Sequence, residues 1–133
     1  MTLREQLLRD EGVRLKVYQD TVGKWTIGVG RNLVDKGLSL GEAEMMLDND
    51  IRDFSADVLI AIPWAVRLDE ARRGVLINIA FNAGVQGLLK FKKMLAALER
   101  GDYETASREV IDSRLERNRR ERLADQLLTG EWQ

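Results

Sequence analysis

Apolar side chains recur along this chain with two different periods. Leu3, Leu7 and Leu8 keep helical spacing behind Thr2 and Glu5, which are placed as in a capping box. They predict a first helix that runs to about Glu11 and stops near Gly12. Leu15, Val17 and Tyr18 then read as extended, QDTVGKW has turn chemistry at Asp20 and Gly23, and WTIGVG alternates bulky residues with glycine. Residues 15–34 are therefore expected to form a small antiparallel hairpin with tight glycine positions. Ser39 and Glu42 repeat the capping pattern, and Leu40, Ala43, Leu47, Ile51, Phe54 and Val58 follow at spacings of three and four. This predicts a long amphipathic helix over roughly 40–60, ended or followed by Pro63. Asp69 is placed to cap a further helix whose apolar arc (Val75, Leu76, Ile79, Ala80, Phe81) is wide enough for a central core element. Gly84 and Gly87 are expected to break it. Helices should follow at about 88–99, 103–112 and 116–128, with Gly101 and Gly130 as stops.

This order of elements predicts an α+β fold that is predominantly helical. One domain, or two small lobes sharing a helix, would fit the length of 133 residues. A hydrophobic content of 44% suffices for its core.

Cysteine and histidine are both absent, which removes whole classes of chemistry. Disulfides, zinc sites built from His and Cys, Ser-His-Asp triads and Cys-His pairs cannot occur. An enzyme built from this chain must take its acid and base from carboxylates, lysines, tyrosines or a cofactor. The net charge of -1 is unevenly spread. Residues 1–66 carry 8 basic against 11 acidic side chains, and residues 67–122 carry 13 against 9. The basic region could face an acidic polymer such as a cell wall or nucleic acid, or be a solvated helical surface. The basic run 114–122 is interleaved with Glu116 and Glu121 and lacks nearby aromatics, so a nucleic-acid partner is not expected. No apolar run has the length of a membrane span, and MTLREQLLRDEG is too charged to be a signal peptide.

Glu11 at a helix end, Asp20 in a turn and Thr26 in a strand can be folded toward one place by a hairpin. Two carboxylates in different surroundings are what glycoside hydrolysis uses: one donates a proton to the leaving oxygen, the other acts on water or on the sugar cation. A hydroxyl such as Thr26 could hold the water. With 22 acidic residues in the chain some pair will always look plausible, and spacing alone favours Glu11 as a surface carboxylate in the last turn of an amphipathic helix.

The segment DEGVRLKVYQDTVGKWTIGVG resembles the catalytic signature of the phage-type lysozymes, the endolysins of glycoside hydrolase family twenty-four. Glu11, Gly12, Tyr18, Asp20, Gly23, Thr26, Ile27, Gly28 and Gly30 carry the resemblance. RRGVLINIAFNAGVQG is similar to the family's core helix and following turn, and NRRERLADQLLTGEW to its C-terminal segment. The resemblance implies a phage-lysozyme-like two-lobed fold: an N-terminal lobe, about 12–60, with the hairpin and the connecting helix, and a helical C-terminal lobe, about 61–133, completed by helix 1–11, with the cleft between them. It also implies a muramidase that hydrolyses the β-1,4 bond between N-acetylmuramic acid and N-acetylglucosamine. It implies Glu11 as general acid, with Asp20 and Thr26 activating water on the opposite face, with inversion. In retaining enzymes the second carboxylate is a nucleophile, a role that does not transfer to Asp20 unexamined. Phe81 and Asn82 match positions lining the sugar cleft, although Phe81 also fits a plain core role. Arg119 matches a basic residue near the general acid, and Asn32 a cleft-wall residue. No metal or cofactor is implied. The implied partner is the peptidoglycan glycan strand, met by a monomer made in the host cytoplasm and released through a holin-type lesion.

Arg31 departs from the family, which has His there, paired with an acid on the long helix. Asp50 stands at the matching place, so an Arg31–Asp50 pair is expected. The segment between Gly30 and Ser39 is short, and Leu115 stands where an aromatic is often found. Trp25 could stack on sugar or pack between lobes, while Trp64 and Trp132 are expected in the core or in lobe packing. The competing readings are a lytic transglycosylase, which can work with one carboxylate, and a non-catalytic wall-binding protein on the same fold.

Overall fold

Both predicted capping boxes are formed. Thr2 Oγ1 accepts from the Glu5 N–H at 3.1 Å while Glu5 Oε2 accepts from the Thr2 N–H at 3.0 Å. Ser39 and Glu42 make the same reciprocal pair at 3.1 and 2.9 Å. They open α1 (Leu3–Glu11) and α2 (Leu40–Ala61), satisfying amides that the first helical turn leaves without partners. The computed structural model describes every residue from Met1 to Gln133, and the chain falls into two compact units, Met1–Met46 and Leu47–Gln133.

In the first unit, α1 ends at Gly12, whose N–H donates to Leu8 O. Strands β1 (Arg14–Gln19), β2 (Trp25–Gly28) and β3 (Arg31–Asn32) form an antiparallel sheet in that order. The hairpin expected over 15–34 is present and carries a third strand. Only two paired positions define β3, Thr26 with Asn32 and Ile27 with Arg31, too few to leave an alternating pattern in the sequence. Thr26, 4% exposed, is the one buried residue of this unit.

The second unit is organised around α3 (Glu70–Leu89). Ala71, Val75, Leu76, Ile79, Ala80 and Leu88 of this helix are all buried, as its wide apolar arc requires. Val58 of α2 packs into the same cluster, as do Met94 and Leu98 of α4 (Lys92–Glu99), Val110 of α5 (Tyr103–Ile111) and Leu127 of α6 (Arg117–Thr129). Each such fully buried side chain contributes about 1.5–3 kcal/mol relative to exposure. Asp69 caps α3 as predicted, its Oδ2 accepting from the Arg72 N–H at 3.1 Å. A short 3-10 turn, Pro63–Arg67, precedes it. No single helix is long and apolar enough to cross a membrane.

Two polar ties fasten α6 to α3. Buried Gln126 donates through Nε2 to Ala71 O at 2.6 Å. Arg72 donates to Leu127 O at 2.7 Å and to Leu128 O at 3.1 Å, with its guanidinium 3.5 Å from the centre of the Tyr103 ring. Three expectations need correction here. Gly84 does interrupt α3 (φ 76°, ψ 164°), but the helix resumes to Leu89, so α4 starts at Lys92 and not near 88. Gly87 does not break the helix. It stays helical, and a Cβ there would stand 2.6 Å from Ala83 Cβ, so the small residue serves packing after the kink. Trp132 is 62% exposed, its ring lying against Gly74, where a Cβ would sit 2.5 Å from Cη2. Trp64 is half-buried against the core.

Candidate active site

Glu11 closes α1, where the chain turns toward β1. Its carboxylate lies against the backbone of Gly30: a Cβ at Gly30 would stand 3.0 Å from Glu11 Oε2 and 3.2 Å from Glu11 Cδ. Gly30 also has φ +65°, a left-handed conformation that side chains strain. Position 30 thus combines a positive φ with close approach of the Glu11 side chain.

Asp20 is fixed by the turn between β1 and β2. Its Oδ1 accepts from the Val22 N–H at 3.0 Å and the Lys24 N–H at 2.8 Å. This is the side-chain-to-backbone bonding that makes Asp a turn residue. Lys24 O receives two donors in return, the Asp20 N–H at 2.9 Å and the Thr26 hydroxyl at 2.9 Å. One peptide residue therefore ties Asp20 and Thr26 together. Asp20 Oδ2 and the acceptor side of Thr26 Oγ1 take no hydrogen bond from the protein. Thr26 pairs with Tyr18 on one side and Asn32 on the other, so β2 places it in the middle of the sheet. Asn32 turns its side chain back into the protein: Oδ1 accepts from the Val34 and Asp35 N–H groups, both at 2.9 Å, and Nδ2 donates to Asp35 Oδ2 at 3.0 Å.

Arg31 does not pair with Asp50. Its NH2 lies 2.7 Å from Glu42 Oε2, and its NH1 donates to Glu42 Oε1 at 2.8 Å and to Gly37 O at 3.1 Å. Glu42 is the capping-box residue of α2, about two helical turns before Asp50. The hydrogen bonds from Arg31, and then those from Ser39, lower the Glu42 carboxyl to about 2.

In the second unit, Phe81 and Arg119 line one pocket of about 400 Å³, with Leu47, Ile51, Asn78 and Trp132. Phe81 is 44% exposed and tilts against Phe54, with ring centroids 5.4 Å apart. Arg119 sits in the first turn of α6. Glu116 caps that helix by accepting from the Asn118 and Arg119 N–H groups, and these bonds hold the Glu116 carboxyl below its ordinary range. Arg119 NH1 is buried without a protein acceptor, which leaves both of its N–H donors unsatisfied. Asn82 is exposed and outside this pocket. Asn78, one turn before Phe81, is in it and was not anticipated, although its spacing from Phe81 puts the two on one helix face.

Residues 9–127 match the phage lysozyme family. The chain is 31% identical to the pre-baseplate central spike protein Gp5 of Enterobacteria phage T4, over 85% of this chain and 24% of that protein. It therefore spans about a quarter of the length of that relative. It is 28% identical to the probable T4-type lysozyme 2 of Dictyostelium discoideum, over 84% of this chain and 83% of that one. It is 34% identical to the endolysin of Acyrthosiphon pisum secondary endosymbiont phage 1, over 77% and 70%. With nearly its whole length matched, the chain belongs to the phage lysozyme family.

Proposed function

We propose that this protein degrades peptidoglycan by hydrolysing the β-1,4 bond between N-acetylmuramic acid and N-acetylglucosamine, with inversion. The lysozyme and endolysin names of its relatives support the wall-degrading role. The observation that carries the mechanism is the contrast between two carboxylates. Glu11 has both oxygens free of protein hydrogen bonds at the end of a helix, while Asp20 is anchored through one oxygen and offers the other.

In this reading Glu11 protonates the leaving glycosidic oxygen. A water donates its hydrogens to Asp20 Oδ2 and Thr26 Oγ1 and attacks the anomeric carbon from the opposite face. The Lys24 peptide prevents Asp20 and Thr26 from drifting apart, so positioning is supplied before substrate arrives. In the second unit, Phe81 would offer the glycan a partly exposed apolar face. The protein would act as a monomer on the wall after release from the cytoplasm.

Digestion of purified peptidoglycan with wild type and Glu11→Gln tests this. Wild type should generate reducing muramic ends, and the variant should generate none. Anhydro-muramic ends would instead establish a transglycosylase. Equal release by both proteins would overturn the role of Glu11.

A further inference from the structure

Asp35 lies outside every motif that marks the site, yet it joins two of the site's elements. Its Oδ1 accepts from Lys24 Nζ at 3.2 Å, and its Oδ2 accepts from Asn32 Nδ2 at 3.0 Å. Its own N–H donates to Asn32 Oδ1, alongside the Val34 N–H. The Asn32 side chain thus shapes the loop after β3 so that the Asp35 carboxylate faces the Lys24 ammonium. Lys24 is the residue whose N–H holds Asp20 Oδ1 and whose carbonyl holds the Thr26 hydroxyl. A second bond stitches the same two segments, Leu33 N–H to Trp25 O at 2.8 Å.

We propose that Asp35 is a positioning residue for the water-activating pair, acting through Lys24 and held in place by Asn32. The inference rests on the reading of Asp20 and Thr26 given above. The clamp draws the loop after β3 onto the turn that carries Asp20. It narrows the spread of positions open to the Lys24 peptide and hence to the two oxygens that meet the water. Asn32 then serves the reaction from inside the protein, by building the clamp, and not by touching sugar. The Lys24–Asp35 pair is exposed, with side-chain accessibilities of 40% and 61%. Its contribution is therefore modest and screened by salt, and this gives the proposal a signature that a packing role lacks.

The test is a double-variant cycle on a soluble N-acetylglucosamine–N-acetylmuramic acid oligomer. Asp35→Asn keeps one oxygen to accept from Asn32 and removes both the charge and the acceptor that face Lys24. It should lower kcat about two- to fivefold, the range an exposed ion pair supplies, with KM and melting temperature little changed. Lys24→Met should show the same deficit, the double variant no more than either, and Lys24→Arg should recover most of it. The deficit should vanish near 1 M salt, where the Debye length is about 3 Å. An activity-free arm reads the clamp directly: the Val22 and Lys24 amides, which donate to Asp20 Oδ1, should exchange hydrogen faster in Asp35→Asn. Unchanged kcat with unchanged exchange would overturn the proposal. So would additive losses, or a raised KM at constant kcat, which would make Lys24 or Asp35 a substrate contact. If wild type cleaves no glycan, the reading of the site fails, and the exchange arm still decides whether the clamp exists.

Discussion

Gly30 stands far from Glu11 in the chain, and yet the carboxylate occupies the space that a side chain at position 30 would take. Gly30→Ala should therefore act twice. It should destabilise the fold by roughly 1 kcal/mol because of its positive φ, read as a lower melting temperature. It should also displace Glu11 and lower kcat by more than that destabilisation explains. The Arg31–Glu42 pair makes a different prediction, in acid. The Glu42 carboxyl is held at about 2 in the folded protein and returns to about 4.5 when unfolded. Its stabilisation is thus fully present above pH 4.5 and is lost as pH falls toward 2. Glu42→Gln should flatten that part of the curve of stability against pH. Arg31→His should add a loss of the opposite sense: a histidine favoured in its charged form by Glu42 stabilises at low pH and stops doing so as pH rises through and above about 6.5. Absence of any new neutral transition would show that the pair contributes nothing. Residue types and spacing alone did not single out Glu11, Asp20 and Thr26; the resemblance to a family signature did. The partner of Arg31 was not legible, because Asp50 and Glu42 are both acids on one helix and nothing in the sequence chooses between them.

At the scale of elements, local chemistry was the readable part. The residues at Thr2, Ser39, Asp69, Gly101 and Gly130 all mark real helix ends, since capping depends on side chains within a few positions. What escaped was set by contacts between elements. The two-residue β3 exists because β2 lies beside it. The tie between α3 and the end of α6 is likewise invisible in sequence, being made by Arg72 to carbonyls more than fifty residues away. That side chain satisfies two carbonyls at a helix C-terminus while covering an aromatic ring. Arg72→Met should lower stability by about 2 kcal/mol, measured by denaturant titration, because it keeps the stem and leaves those acceptors without their donor. A loss within a few tenths of a kcal/mol would mean that water replaces the guanidinium.

For the molecule as a whole, burial is divided very unequally. All but one of the buried residues lie in Leu47–Gln133, and Thr26 alone represents Met1–Met46. Amide exchange should accordingly be slowest in α3 and α6, and the sheet amides should exchange at lower free energy. A fragment of residues 47–133 should keep helical circular dichroism and a cooperative transition. A fragment of residues 1–46 should be unfolded, having almost no core of its own. A cooperative melt from the smaller fragment would contradict this. The composition had suggested enough apolar residues for a domain, and the family resemblance supplied the fold class. Neither revealed that apolar residues such as Leu3, Leu15 and Val22 would be largely exposed while Thr26 is covered.

The anchoring of Asp20 through a single oxygen has a stereochemical consequence. An unrestrained carboxylate is symmetric and can rotate, so either oxygen can accept a proton. With Oδ1 tied down by two peptide N–H groups, that symmetry is gone, and rotation would break both bonds. In the proposed reaction only one oxygen is left to receive the proton of water. In that reading the face from which a sugar is attacked is written into the five residues between β1 and β2, before any sugar is present.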